Sequence, residues 1–262
     1  MELFKAAPSE KLMDKKKLFF TLLLIVVCIL LFVRRFIAPA DTPSYDITTE
    51  VANNNIEINF SSNDLYIKGE DIPYAILRFG EDYIDLNENI IKTINVKSKS
   101  SVILSLPQTS KTVVVNGSGN VYINNVAAEQ LVLSAANLEL DDANIDKASL
   151  SAKESTISSS SFSTLYVKGS SKPITIINSS AKSIMTETIS GDITIDSTAA
   201  FIEAKSDSGN IDLTINQDSH IVASSENGII EIDDGLNKID SENTVLIKTN
   251  SGNIRISGDN DD

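Results

Sequence analysis

A four-residue pattern returns along this chain at a nearly fixed step. It reads Ser190-Gly191-Asp192-Ile193, then Ser208-Gly209-Asn210-Ile211, then Ser251-Gly252-Asn253-Ile254. Looser copies stand at Asn227-Gly228-Ile229-Ile230 and, earlier, at Ser118-Gly119-Asn120-Val121. The step is about 18 residues, in the range where a repeat means stacked coils rather than separate domains. Two sets of apolar residues keep the same period. One runs from Val121/Ile123 to Ile254/Ile256, and the other from Val113/Val115 through Phe201 to Val245/Ile247. Each shows i, i+2 alternation, the mark of a strand with one buried face.

The pattern predicts an all-β fold, a parallel β-solenoid over residues 113–257 with about 18 residues and two short strands per rung. Eight rungs fit this span, each expected on the next in chain order. A polar loop is expected at 233–242, where the last unit is longer. Gly119, Asn120, Gly191, Asp192, Gly209, Asn210, Gly228, Gly252 and Asn253 are expected to be structural turn residues. Glycine would supply positive φ, and Asn or Asp would tolerate the left-handed region and bond from rung to rung.

Residues 47–112 break the period. Their strands are irregularly spaced and richer in Tyr and Phe, with a turn at Asp71-Ile72-Pro73. An open solenoid end exposes unpaired strand edges, so this region is expected to be an amino-terminal β cap. Residues 258–262 read as an acidic tail.

The amino-terminal part has a different character. Leu18 to Val33 is apolar except for Thr21, with Lys15, Lys16 and Lys17 before it and Arg34 and Arg35 after it. A helix over 17–38 is long enough to cross about 30 Å of hydrocarbon. The excess of lysine ahead of it keeps residues 1–16 cytoplasmic and places the body outside. The membrane flanks are therefore Lys15, Lys16, Lys17, Arg34 and Arg35, and lipid is the expected partner of residues 18–38. A cleaved signal peptide is the rival, since Ala38-Pro39-Ala40 has the small-x-small form; against it, two arginines separate that site from the apolar run. The prolines in residues 39–46 mark a linker. Cys28, the only cysteine, lies mid-run behind Val27, a poor lipidation context. No intramolecular disulfide can form, so burial and ladder hydrogen bonds must hold the fold.

Residues 41–262 carry 15 Lys/Arg against 33 Asp/Glu, a net charge of −18. Such a surface repels nucleic acid and anionic lipid or wall polymer at long range, and it favours cationic partners. His220 is the only histidine, which excludes a multi-histidine metal centre, and adjacent Ser219 makes no triad by adjacency. Acids cluster near successive turns (Asp192, Asp196, Asp207, Asp212, Glu231, Asp233, Asp234), yet only Lys205 is close in sequence to polarise a substrate. Neither the EF-hand spacing nor the glycine-rich calcium repeat is present. No cofactor, catalytic residue or metal ligand is expected.

The segment Leu104-Ser105-Leu106-Pro107, then Val113 to Ile123 with its Ser118-Gly119-Asn120, then the recurring Ser-Gly-Asp-Ile-Thr-Ile unit at 190–195, resembles the bacterial putative-adhesin β-strand-repeat family (domain of unknown function 4097) over about residues 50–257. The resemblance implies an envelope protein, often with one span, whose body is a non-catalytic β-solenoid. The expected function is a single-pass, membrane-anchored extracytoplasmic binding module contacting a membrane protein or envelope polymer. Two other readings stand beside it: an accessory or sensor subunit of an envelope-stress system, and a solenoid polysaccharide-active enzyme.

Overall fold

The computed structural model describes residues 44–258, apart from 50–54, 62–63, 81, 86–90, 99 and 109. No helix among the described residues is long and apolar enough to cross a membrane. The segments 1–16 and 17–38, the flanks Lys15, Lys16, Lys17, Arg34 and Arg35, the start of the linker and residues 259–262 lie outside them.

Short alternating strands pile into two parallel stacks, joined at their corners. In chain order the strands are β1 (Ser44–Thr49), β2 (Asn55–Phe60), β3 (Asp64–Glu70), β4 (Ile76–Phe79), β5 (Asp82–Asp85), β6 (Ile91–Lys97) and β7 (Val102–Pro107). Then come β8 (Ser110–Gly117), β9 (Asn120–Asn124), β10 (Ala127–Ser134), β11 (Asn137–Asp141), β12 (Asn144–Ser151), β13 (Glu154–Ser158) and β14 (Ser161–Lys168). The last are β15 (Ile174–Thr188), β16 (Ile193–Ser206), β17 (Ile211–Ile215), β18 (His220–Ser225), β19 (Ile230–Ile232), β20 (Thr244–Thr249) and β21 (Ile254–Gly258). β15 and β16 run through a corner and serve both stacks.

One inward column of the second stack reads Val102, Leu65, Val121, Leu138, Ser155, Ile174, Ile193, Ile211, Ile254, Ile230. The recurring isoleucines 193, 211 and 254 thus fall in one file. Each coil can bury its apolar side chains only against the coils above and below, so in-register repetition is what creates the core.

Position 155 is the odd member of that file. Ser155 is 1% exposed between Leu138 and Ile174, and its hydroxyl has no hydrogen-bond partner. An unsatisfied buried hydroxyl costs about 1–3 kcal/mol. Ser155→Ala should therefore stabilise the chain by about 1 kcal/mol, raising the thermal midpoint by roughly 2–4 °C for a body of this size. A lowered midpoint would show that the hydroxyl is satisfied.

Phe201, read from sequence as inward, faces outward instead. Ile202 is the inward residue, 1% exposed and in register with Ile184. Two adjacent apolar residues let either phase satisfy the alternation, and a one-residue shift moves a side chain to the other face.

The coils do not stack wholly in chain order. In the second stack β17 pairs with β21, and β21 pairs with β19. In the first, the second half of β16 pairs with β20, and β20 with β18. The last coil in the chain, β20/β21, is therefore threaded between β16/β17 and β18/β19. The opposite end does the same: β2/β3 sits between β6/β7 and β8/β9. The region read as a cap thus supplies two coils of its own. Among the described residues antiparallel pairing is confined to its margin, where β1 lies on β6 and the β4–β5 hairpin lies on β7. Arg78 fastens that hairpin by donating to the buried Ser105 hydroxyl, which donates to Glu70 Oε1 at 3.0 Å.

Candidate functional site

Each coil turns at two corners. The first carries the recurrent glycines, and it is a structural joint. A Cβ on Gly209 would stand 1.9 Å from Gly191 O; on Gly252, 1.9 Å from Gly209 O; on Gly228, 1.9 Å from Gly252 O. None of these glycines has positive φ, which among the described glycines is found at Gly80 and Gly235. Glycine is needed here because successive backbones touch, not for the left-handed conformation expected from sequence. Three residues ahead of each glycine stands a hydroxyl that sequence reading passed over. Thr188, Ser206, Ser225 and Thr249 accept from the N–H of Gly191, Gly209, Gly228 and Gly252 at 2.8–3.2 Å. Each donates to a carbonyl of a neighbouring coil. The visible signal is Ser/Thr-x-x-Gly.

The residues after the glycines form a second ladder. Asp192 Oδ1 accepts from Asn210 N at 2.7 Å, and Asn210 Oδ1 from Asn253 N at 2.9 Å. In the earlier coils Ala136 N donates to Gly119 O at 2.9 Å, and Asn137 Nδ2 donates to Asn120 Oδ1 at 2.8 Å.

The second corner is where left-handed residues occur. Asn125, Asp142, Ser159 and Asn178 have φ between 50° and 54°, one per coil. Asn and Asp tolerate this region best, so Ser159 is the unusual member. The residue after each points inward. Ser160 and Ser179 stand there, and Ser197, the register partner of Ser179, continues the column without a left-handed residue before it; the three are 3%, 6% and 9% exposed. Their hydroxyls accept from Ala143 N, Ser160 N and Ser179 N at 3.0–3.2 Å. They donate to the carbonyls of Ser158, Ile177 and Asp196 at 2.6–2.9 Å. The buried hydroxyls are thereby satisfied and the corner is rigid.

Along this corner runs an open groove of about 640 Å³, from Gln108 to Asn216. Its rim is made of short amides and hydroxyls, among them Asn144, Ser161, Ser180 and Thr198, with Asp142 and Asp196 beside them. Polar groups therefore repeat at the strand spacing of about 4.8 Å. Such an edge can offer the same hydrogen bonds again and again to an extended chain.

A family model described as Toastrack DUF4097 matches residues 53–261. The chain belongs to the Toastrack family. A crystal structure described as a putative adhesin from Bacteroides fragilis is similar, with 17% identity, a TM-score of 0.46, and 83% of this chain and 98% of that one covered. A structure described as a putative cell adhesion protein from Clostridium sporogenes has 10% identity, a TM-score of 0.23, and coverage of 83% and 100%. A comparison with curated proteins found no match.

In this Toastrack chain the acids singled out from sequence belong to different columns. Asp192 is in the ladder beside the glycine corner. Asp196 is on the groove. Asp212 and Glu231 flank Arg255 on the outer face of the second stack. Asp207 offers its backbone carbonyl to Ser251 N at 3.2 Å, and Asp233 Oδ2 accepts from Gly258 N at 3.2 Å. His220 opens β18 and is half-buried; its N–H donates to Asn243 O at 2.7 Å. Among the described residues no group of three His, Cys, Asp or Glu side chains converges to hold a metal.

On the outer face of the first stack, Tyr166 donates to Glu187 Oε1 at 2.6 Å, and Lys168 Nζ lies 2.7 Å from the same oxygen. Burial, and then the bond to Glu187, pushes the phenol up to about 12. Glu187 is held below the usual carboxylate range by its bonds to Lys168 and then Tyr166. This cluster ties β14 to β15 beside the Lys168–Glu187 register pair.

Proposed function

We propose that this chain is a single-pass, membrane-anchored β-solenoid displayed outside the bacterial cytoplasm, and that it binds without catalysing, as an adhesin-like module of the cell envelope. The groove at the left-handed corner supports the reading best. It presents small hydrogen-bonding groups repeated at one spacing across successive coils, on a corner whose buried Ser160, Ser179 and Ser197 hydroxyls are satisfied. That arrangement suits an extended polymer, because the rigid surface itself pays little ordering cost on binding. The apolar run at 18–33 and its basic flanks support the anchor.

Co-sedimentation of the full-length, detergent-solubilised chain with isolated cell-wall sacculi tests this. The wild-type chain should sediment with the wall. Ser180→Trp and Thr198→Trp fill the groove from its rim, leave the buried serines untouched and should lower the bound fraction about tenfold. Binding unchanged in both variants, with unaltered thermal midpoints, would remove the groove as the binding surface.

A further inference from the structure

The outer face of the second stack holds a separate feature. Tyr66 and Tyr122 are register partners on β3 and β9. Their rings stack with centroids 4.8 Å apart and planes 12° apart, so each ring lies over the other at the strand spacing. One face of Tyr122 is covered by Tyr66. Its other face looks toward the next coil, whose residue in this column is Glu139, followed by Thr156. The aromatic ladder therefore stops at Tyr122. A recess of about 230 Å³ opens there, bordered by Tyr122, Glu139, Asn137, Glu154 and Thr156, with no lysine or arginine in its lining.

A second ladder stops at the same place. Asn120 Nδ2 donates to Asp64 Oδ1 at 2.9 Å, and Asn137 Nδ2 donates to Asn120 Oδ1 at 2.8 Å. The next side chain in that column is Glu154. An ionised carboxylate has no proton to give, so the amide ladder ends at Asn137, with a carboxylate in the next position of the column. Among the described residues neither Glu139 nor Glu154 has an ion-pair partner. The Tyr122 hydroxyl is held above its ordinary range by burial first, and then by Asp64, Tyr66 and Glu139. The recess thus combines an open aromatic face with a rim of acceptors that lack donors. A planar cation fits both halves of that description: its face stacks on the ring, and its N–H groups reach the carboxylates and the amide oxygen. An uncharged sugar ring would use the aromatic face but would leave two carboxylates unneutralised.

We propose that the shelf formed by Tyr122, Glu139, Glu154 and Asn137 receives the guanidinium of an arginine carried by an extended segment of a partner protein. The shelf lies on a different face from the groove and acts independently of it. The net charge of −18 over residues 41–262 draws such a segment in at long range.

The test uses the full-length chain in a non-ionic detergent and the blocked peptide acetyl-Gly-Thr-Arg-Thr-Gly-amide, with lysine and citrulline versions as controls. Proton NMR should show the arginine δ-methylene signals moving upfield on binding, because they enter the ring current of Tyr122. The lysine peptide should bind more weakly and the citrulline peptide, neutral but of the same shape, least. Tyr122→Leu should weaken arginine binding about 2- to 30-fold and abolish the upfield shift. Glu139→Gln with Glu154→Gln should weaken it about tenfold and remove most of its salt dependence. Glu139 and Glu154 are exposed, so the glutamine variants should keep the wild-type thermal midpoint, whereas Tyr122→Leu also removes the stack on Tyr66 and should lower it slightly. Ser180→Trp should leave arginine binding intact even if wall binding is lost. Equal binding of the arginine and citrulline peptides would overturn the proposal. So would displacement of the arginine peptide by a neutral oligosaccharide while the glutamine variants behave as wild type, which would make the shelf a sugar platform.

Discussion

Gly209→Ala should lower the midpoint of thermal unfolding by roughly 6–12 °C, which corresponds to about 3 kcal/mol in a body of this size. The added methyl would stand 1.9 Å from Gly191 O and 2.5 Å from Gly191 C. Both are backbone atoms held by ladders on either side, so no side chain can swing away to make room. The coils must part at that corner, and parting them breaks the bond from Ser206 Oγ to Gly191 O at 3.3 Å. The control is Gly235→Ala. Gly235 has φ of 86° but no atom within 4 Å of an added Cβ, so it should cost only the conformational penalty of about 1 kcal/mol. Equal losses in the two variants would refute the close-approach account of the repeated glycines.

Ending the chain at Asn243 should do more damage still, and in an unusual place. It removes β20 and β21 with their buried Val245, Ile247, Ile254 and Ile256, each 2% exposed or less. At about 1.5–3 kcal/mol per fully buried side chain, the lost burial is about 6–12 kcal/mol gross, comparable with the whole stability of many domains. In a solenoid stacked in chain order, loss of the last coil would trim one interface and leave the coil before it protected. Here β20 and β21 are the partners of β18 and β19, so the deletion orphans a coil that is still present. Hydrogen exchange should show residues 220–225 and 230–232 losing protection while β10 to β14 keep theirs, because stability in stacked coils is set by nearest neighbours. Freed strand edges should also promote aggregation. Native-like protection of 220–232 in the shortened chain would show that the threading is wrong.

That threading also gives a reason for the fold's ends. A terminal coil on an open stack is held on one side and frays. A coil inserted between two others is held on both, and here both β2/β3 and β20/β21 are held so. At the amino-terminal margin the antiparallel β1 and the β4–β5 hairpin then cover the coil left outermost. At the other end Leu236, in the long loop, packs against the core, and Asn237 pairs with Ser219.

Much of the candidate site was hidden for a local reason. The glycine corner announces itself because glycine is rare enough to be noticed. The groove corner is built from Asn125, Asp142, Ser159 and Asn178, ordinary surface residues whose shared φ is invisible without coordinates. The tyrosine shelf was hidden differently: Tyr66 and Tyr122 are 56 residues apart and meet only because β3 is threaded beside β9.

Alternation and repeat, written into the sequence, determined that the body is a stack of parallel two-strand coils with isoleucines in register. Each of those features is settled between a residue and its near neighbours. The tertiary structure alone decided which coil lies on which, because every coil offers nearly the same apolar edge and the period carries no label for its partner. It also decided the phase at Phe201 and Ile202, where either residue would satisfy a period of two and only packing against Ile184 and Val245 selects the second.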